Sequence, residues 1–190
     1  MRLIVAITGA TGIIYGVRLL ERLREAQVET HLVISRWGAR TLLHETAYSK
    51  EQVEALATVV YPPADMGAAI SSGSFKTDGM IIAPCSAKTL AAIAHGYGDN
   101  LIHRAADVIL KERRTLLLGV REAPLSDIHL ENMLKLSRMG VVVMPPVPAF
   151  YNNPRTLDEM VDHTVSRMLD QFGIEVPGMP RWSGEMGVGD

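Results

Sequence analysis

Turns rich in glycine and hydroxyl residues are the parts of this sequence most able to bind a ligand. The first turn, at 8–12, stands between an apolar run and a segment whose apolar residues recur at helical spacing. Such a strand–turn–helix unit brings backbone N–H groups and the positive end of a helix dipole to one point, which attracts a phosphate. A second unit of this kind follows at 84–89, where the sequence reads PCSAKT.

The first turn does not match the fingerprint of a dinucleotide site. Gly9 and Gly12 fit its opening, but Tyr15 stands where the third glycine is expected, and a glycine follows one position later. The second predicted strand, 30–34, ends at Ser35 rather than at the acidic residue that holds a nicotinamide ribose. A hydroxyl there favours a mononucleotide phosphate or a flavin edge. A tight turn without a ligand is the alternative that these residues leave open.

Side chains able to act on a phosphate ester come from separate segments of the chain. Lysine and arginine neutralise leaving phosphate oxygens without a metal, and a tyrosine adds a neutral donor. A glutamate can take or steer a proton. Each of these residues is equally compatible with a solvated surface position or with packing. The candidates are Glu45, Arg104, Lys111, Arg121, Glu122, Tyr151 and Arg167.

Composition argues against several classes of function. The chain has 190 residues, is 47% hydrophobic and carries a formal net charge of −2, so we expect no nucleic-acid partner and no polybasic membrane patch. The apolar run after Arg2 is too short for a signal peptide or a membrane span. The single cysteine, Cys85, excludes an internal disulfide, and the six histidines lack H-x-x-x-H spacing. We therefore predict a cytoplasmic protein without a metal site or a membrane partner.

The order of the predicted elements indicates the fold. Strands at 3–7, 30–34, 59–61, 80–83, 115–120 and 141–144 alternate with helices. This pattern predicts a single-domain α/β fold: a doubly wound parallel sheet of Rossmann-like or flavodoxin-like type, with helices on both faces. We predict a domain at 1–175 and a Pro/Gly-rich tail at 176–190. Ligands of such sheets bind at the carboxyl ends of the strands.

Several details of the helices are predicted as well. A helix at 36–44 should turn Ala39, Leu42 and Leu43 inward. Capping boxes at Ser49 and Thr156 should begin two further helices, the first of which runs to about residue 58.

Five stretches, together with Ser35, resemble the UbiX-type flavin prenyltransferases, which were formerly described as phenylacrylic or polyprenyl-hydroxybenzoate decarboxylases. The resemblance extends from residue 1 to about Trp182. The stretches are TGAT at 8–11, PCSAKT at 84–89, DNLIHRAADVILKERR at 99–114, REAPLSDIHLENMLKLS at 121–137 and PAFYNNP at 148–154.

The resemblance implies an activity and partners. It implies that the protein binds reduced FMN and dimethylallyl phosphate and joins the prenyl group to N5 and C6 of the flavin without a metal. The prenylated FMN would serve a UbiD-type aromatic acid decarboxylase, in quinone synthesis or in phenolic-acid breakdown. The resemblance further implies a homo-oligomer, a dodecamer, with sites between subunits.

The resemblance also implies roles for particular residues. Glu45, Lys111, Glu122 and Tyr151 would be catalytic, with Glu45 near the reacting face of the flavin. Thr11 replaces the serine of many members, and Met66 replaces a tryptophan that some members place over the prenyl group. FMN would contact Gly9, Ala10, Thr11, Ser35, Ser86, Ala87, Lys88, Thr89 and Arg121. The prenyl phosphate would contact Arg104, Lys111, Arg121, Glu122, Tyr151 and Arg167.

Two alternative functions stay open. The first is an FMN-dependent decarboxylase of the related cysteine-decarboxylase class. Those enzymes need a catalytic histidine after the first helix and an Asn/Met-rich segment near 144–154, where this chain reads MPPVPAFYNNP. The second is a non-enzymatic FMN carrier of flavodoxin type. Such carriers are usually acidic, whereas this chain is close to neutral.

Overall fold

The computed structural model describes residues 1–179, 181–182 and 184. Its centre is one sheet of six strands: β1 (Arg2–Ile7), β2 (Glu29–Ile34), β3 (Val59–Tyr61), β4 (Gly79–Cys85), β5 (Thr115–Val120) and β6 (Val142–Val143). They lie in the order β3-β2-β1-β4-β5-β6, and all neighbouring strands run parallel. The predicted doubly wound α/β fold is therefore confirmed.

Helices cover both faces of the sheet, and each face has its own apolar core. The helices are α1 (Ile13–Glu25), α2 (Arg36–Glu45), α3 (Lys50–Glu54), α4 (Ala87–Ala94), α5 (Leu101–Lys111), α6 (Asp127–Arg138) and α7 (Leu157–Asp170), and a 3₁₀ turn spans Ala69–Ser71. One core joins α1, α2, α3 and α7 to β1 through residues such as Leu3 and Val5. The other joins α4, α5 and α6 to the opposite face, to which Ile4 and Ala6 point.

Two glycines let the first two helices approach the sheet closely. A Cβ atom on Gly16 of α1 would lie 2.5 Å from the carbonyl oxygen of Ala83, and one on Gly38 of α2 would lie 2.6 Å from that of Ile7. Close helix–strand packing is the role of the third glycine in a dinucleotide fingerprint. Gly16 fills this role one position later than the fingerprint expects.

Tertiary contacts change two predicted helices. The helix predicted to run to residue 58 ends at Glu54, because the main chain at Thr58 pairs with β2 through the Thr30 carbonyl oxygen at 3.1 Å. In α2 only Gly38 and Leu42 are buried. The prediction that Leu43 turns inward is wrong, since its side chain is 65% exposed.

Two further local predictions are corrected by the structure. The Ser49 capping box is present, but the one predicted at Thr156 is only half formed. Thr156 accepts from the Glu159 N–H, whereas the Glu159 carboxylate accepts from the Arg155 N–H instead of capping Thr156. The last strand contains only Val142–Val143 and is partly exposed, because it lies at the sheet edge and pairs with β5 alone.

The predicted C-terminal tail is covered in part. Its residues 180, 183 and 185–190 lie outside the described residues. Val176 packs against the core on the α1 side, and Trp182 meets the Tyr151 ring edge to face at a centroid distance of 5.8 Å. The boundary at 175/176 stays a prediction. Within the described ranges, no helix has the length and apolar character needed to cross a membrane.

Candidate functional site

Hydrogen bonds of Thr8 join the turns that follow β1 and β4 at the carboxyl edge of the sheet. Its hydroxyl donates to the Pro84 carbonyl oxygen and accepts from the Ser86 N–H, both at 2.8 Å. Because β1 stands between β2 and β4, this is where the connections diverge to the two sides of the sheet. Doubly wound folds bind their ligands at this point.

The first helix N-terminus holds a carboxylate of this chain. The Glu45 Oε2 atom accepts from the backbone N–H groups of Gly12 and Ile13 at 2.8 and 3.1 Å. The sequence predicted that this N-terminus attracts a phosphate. The structure shows Glu45 there instead, because α2 ends beside the turn and its last residue supplies the anion that the helix dipole favours. The N–H groups of Gly12 and Ile13 are therefore already bonded, and the prediction that they bind a phosphate is wrong.

A large cleft of about 410 Å³ lies beside the first turn. The volume falls within the range of about 300–1,000 Å³ that is common for small-molecule sites. The hydroxyls of Ser35 and Ser86 cap α2 and α4 by accepting backbone N–H groups. Gly9 has no room for a side chain, since a Cβ atom would lie 2.4 Å from the Trp37 Cβ. The residues that line this large cleft include Thr8, Gly9, Ser35, Trp37, Ser86, Lys88, Thr89, Asp99 and His103.

A small cleft of about 290 Å³ lies on the other side of the first turn, between Thr11, Tyr15, Arg121 and Glu122. Arg121 follows β5 and is exposed. Over the described ranges, its guanidinium forms no ion pair or hydrogen bond with a side chain, so it is available to an anion. Burial raises the pKa of the Tyr15 hydroxyl, which keeps this wall of the cleft neutral.

These two clefts contain most of the predicted flavin residues, and their chemistry fits an FMN molecule. Small residues leave space for a flat ring beside the strand ends, and hydroxyls and backbone N–H groups offer donors. The Ser35 hydroxyl keeps its own hydrogen for a ligand, since its oxygen accepts from Gly38. Lys88 is exposed and lies 3.7 Å from Asp99, so its charge too can reach an anion.

Lys111 and Arg104 do not meet Arg121 within one chain. Lys111 ends α5 and pairs with Glu112, close to the start of β5, whereas Arg121 follows the end of that strand. At about 3.3 Å per residue, β5 separates the two ends by roughly 20 Å. Arg104 lies on α5, where it pairs with Asp107 and donates to the Ser71 carbonyl oxygen.

Tyr151 and Arg167 form a third group with α7. The Tyr151 hydroxyl lies 2.9 Å from Nε2 of His163. Arg167 is half exposed and pairs with Asp170, which also binds Arg181. Neither Tyr151 nor Arg167 lines the two clefts, so the prenyl-phosphate set predicted from the sequence is divided among three places on one chain.

Sequence reasoning missed three residues near the site. Trp37 is 64% exposed at the mouth of the large cleft. His103 lies in the cleft wall with Nδ1 2.7 Å from the Asp99 carboxylate, and burial lowers the pKa of its imidazole. His163 contacts Tyr151. Trp37 had a detectable signal, since it comes two residues after Ser35, whereas the histidines are recognisable only from tertiary contacts.

Comparison with known proteins shows the family. A family model described as Flavoprotein matches residues 1–169. A Bacillus subtilis (strain 168) protein described as a probable UbiX-like flavin prenyltransferase is 61% identical over 184 residues, which are 97% of this chain and 90% of that protein. The chain belongs to the UbiX-like flavin prenyltransferase family.

Two solved structures of UbiX-like proteins have the same fold as this chain. A dodecameric FMN-dependent UbiX-like decarboxylase from Escherichia coli O157:H7 is 61% identical with a TM-score of 0.95, covering 97% of this chain and 100% of that one. AnUbiX in complex with FMN and dimethylallyl pyrophosphate is 52% identical with a TM-score of 0.96, covering 97% and 98%. The UbiX-like identity inferred from the sequence motifs is therefore confirmed.

Proposed function

We propose that the protein transfers the dimethylallyl group of dimethylallyl phosphate to N5 and C6 of reduced FMN and releases prenylated FMN and phosphate. The observation that carries the proposal is the pair of clefts on either side of the first turn. One offers hydroxyl donors and small residues, and the other holds the exposed Arg121 guanidinium. A flavin ring and a leaving phosphate would thus be bound side by side.

The large cleft would hold FMN at the carboxyl edge of the sheet. Reduced FMN supplies the nucleophilic ring atoms to which the prenyl group is joined. Ser35 and Thr89 would donate hydrogen bonds, Ser86 would orient Thr89 by donating to its hydroxyl oxygen at 3.1 Å, and the exposed Lys88 would balance ligand charge. The turn at 9–11 would contact the flavin through its backbone, because Gly9 has no room for a side chain.

The small cleft would begin the prenyl-phosphate pocket, and other copies of the chain would complete it. Arg121 would neutralise the phosphate as it leaves. Arg104 and Lys111 lie on α5, away from the clefts, and Tyr151 and Arg167 lie with α7. Since the E. coli relative is dodecameric, we propose a homo-dodecamer in which these four residues reach the Arg121 cleft of neighbouring copies.

Two carboxylates flank the place where the ligands would meet. The backbone N–H groups of Gly12 and Ile13 both donate to Oε2 of Glu45. Oε1 would therefore be the oxygen that takes or steers a proton as the second bond between the prenyl group and the flavin forms. The N–H groups of Gly12 and Ile13 hold this carboxylate in place. Glu122 lines the small cleft beside Arg121 and would orient the guanidinium toward the phosphate.

We also propose which protein takes up the product and in which compartment the reaction occurs. Prenylated FMN would pass to a UbiD-type decarboxylase, and the flavoprotein domain would cover 1–175. We place the reaction in the cytoplasm, because a reducing compartment keeps a lone cysteine free. Cys85 is buried and forms no disulfide, and burial raises the pKa of its thiol.

Anaerobic incubation with FMN, a reductant and dimethylallyl phosphate tests the function, with the flavin analysed by mass spectrometry. We expect a flavin heavier by one isoprene unit. Recovery of unchanged FMN from protein that binds both ligands would refute the proposed transfer. Recovery of a decarboxylated thiol product from a cysteine-containing peptide would support the alternative decarboxylase class.

Three variants assign residues to the two ligands. Arg167→Ala and Tyr151→Phe should keep FMN, because neither residue lines the large cleft. Each should weaken use of dimethylallyl phosphate by about ten- to a hundredfold, since a charge-assisted hydrogen bond contributes ~1.5–3 kcal/mol. Arg121→Ala should weaken both ligands. If Arg167→Ala loses FMN but handles dimethylallyl phosphate normally, the proposed role of α7 is wrong.

A further inference from the structure

His163 is a buried histidine beside a residue of the proposed prenyl-phosphate pocket. It lies in α7 and is 6% exposed. Its Nε2 atom is 2.9 Å from the Tyr151 hydroxyl oxygen, and the two rings meet edge to face at a centroid distance of 5.5 Å. The proposed reaction leaves this contact without a role.

Tyr151 depends on this contact because, among the described residues, its hydroxyl has no other hydrogen-bond partner. The segment 144–156 forms neither a helix nor a strand, and the tyrosine is half exposed. Its other aromatic neighbour is Trp182, which is itself half exposed. Trp182 limits where the ring lies, but the hydroxyl direction is set by the hydrogen bond to His163.

The direction of that hydrogen bond decides what Tyr151 can do. A phenol has one hydrogen to donate. If that hydrogen goes to Nε2 of His163, none is left for a phosphate oxygen. If Nε2 carries a hydrogen instead, His163 donates to the phenol oxygen, and the hydroxyl of Tyr151 is free to donate outward.

The surroundings of His163 favour a neutral ring. Burial, and secondarily the positive charge of Arg167, lower the pKa of His163, while Asp170 opposes them. A neutral imidazole has one N–H group and one bare nitrogen, so it can hold the hydrogen on Nε2 and donate it without adding a second positive charge beside Arg167.

We propose that His163 is the positioning residue of Tyr151: its Nε2–H group donates to the phenol oxygen and so directs the Tyr151 hydroxyl hydrogen at the phosphate of the prenyl donor. The inference rests on the proposed function, because that function places Tyr151 on the phosphate. No proton is transferred in this arrangement. His163 acts through Tyr151 and contacts neither ligand.

Calorimetric titration of dimethylallyl phosphate into protein loaded with oxidised FMN tests the inference without turnover, because oxidised flavin does not accept the prenyl group. His163→Gln retains an N–H donor, whereas His163→Phe retains a ring without one. We expect the phenylalanine variant to bind about two- to tenfold more weakly, the effect of one hydrogen bond, and the glutamine variant to approach the wild type. Retention of FMN by both variants shows that they are folded.

A double-mutant cycle separates positioning from a general effect on folding. In a Tyr151→Phe background, His163→Phe should have no further effect, because there is no hydroxyl left to direct. Equal affinities of His163→Phe and wild type, or additive losses in the double variant, would overturn the inference. If wild type binds no dimethylallyl phosphate, the pocket and the inference both fail. If it binds but forms no prenylated FMN, the proposed function fails alone.

Discussion

Replacing Thr8 by valine tests whether the junction between the β1 and β4 turns supports the ligand site. Valine has the shape of threonine but lacks the hydroxyl that joins the Pro84 carbonyl oxygen to the Ser86 N–H, each at 2.8 Å. The Pro84 oxygen keeps its bond from the Thr8 N–H at 3.2 Å, whereas the Ser86 N–H loses its acceptor. One lost hydrogen bond and one unpaired, largely buried donor should together lower the free energy of unfolding by about 2–3 kcal/mol.

The assay is thermal unfolding at fixed protein concentration, combined with titration of FMN. For a chain of this size, the loss corresponds to a melting temperature about 4–12 °C lower. FMN should bind about two- to tenfold more weakly, because Thr8 no longer holds the Ser86 main chain at the start of α4. Thr8→Ser keeps the hydroxyl and is the matched control. The reasoning is refuted if Thr8→Val matches Thr8→Ser in both measurements.

The remaining predictions concern stability. Gly16→Ala should destabilise the protein by about 1–3 kcal/mol in urea unfolding, because its Cβ would clash with β4. Gly98 faces open space, so the control Gly98→Ala should stay within about 0.5 kcal/mol of wild type. Equal losses of unfolding free energy in the two variants would contradict the packing argument. Arg2 and His31 hold the pKa of Glu29 at about 2, below its ordinary 4.5. Because the folded-state pKa is the lower one, this contribution is complete above pH 4.5 and is lost as the pH falls toward 2. Melting temperatures measured from pH 7 downward should therefore fall less steeply in Glu29→Gln, and parallel curves for the two proteins would refute the assignment.

The fold class and most element positions followed from the sequence because periodicity reports burial, whereas the order of the strands in the sheet was known only from the structure. The strand at 115–120 is predicted with the bounds that the structure gives, since a continuous apolar run ends there at charged residues. The edge strand β6 was predicted too long, because the sequence shows apolar residues but not that only one neighbour pairs with them. The same limit explains Leu43, which has the type of a core residue and lies exposed.

The candidate site was predictable only in part. Motifs identified the residues of the turns, because their small size and hydroxyls are visible in the sequence. Spacing could not show that the Glu45 carboxylate binds the N–H groups of Gly12 and Ile13, since the partners are about thirty residues apart and meet only through packing. Nor could it show that Lys111 and Arg121 lie at opposite ends of β5.

Co-expression of two inactive variants tests most directly whether one reaction site is assembled from different copies of the chain. Lys111→Ala leaves the Arg121 cleft intact, and Arg121→Ala leaves the Lys111 side intact. Each variant alone should make little prenylated FMN. In randomly mixed oligomers about one quarter of the sites should combine two intact halves and recover activity. A mixture no more active than either variant alone, in oligomers shown to contain both chains, would contradict the account.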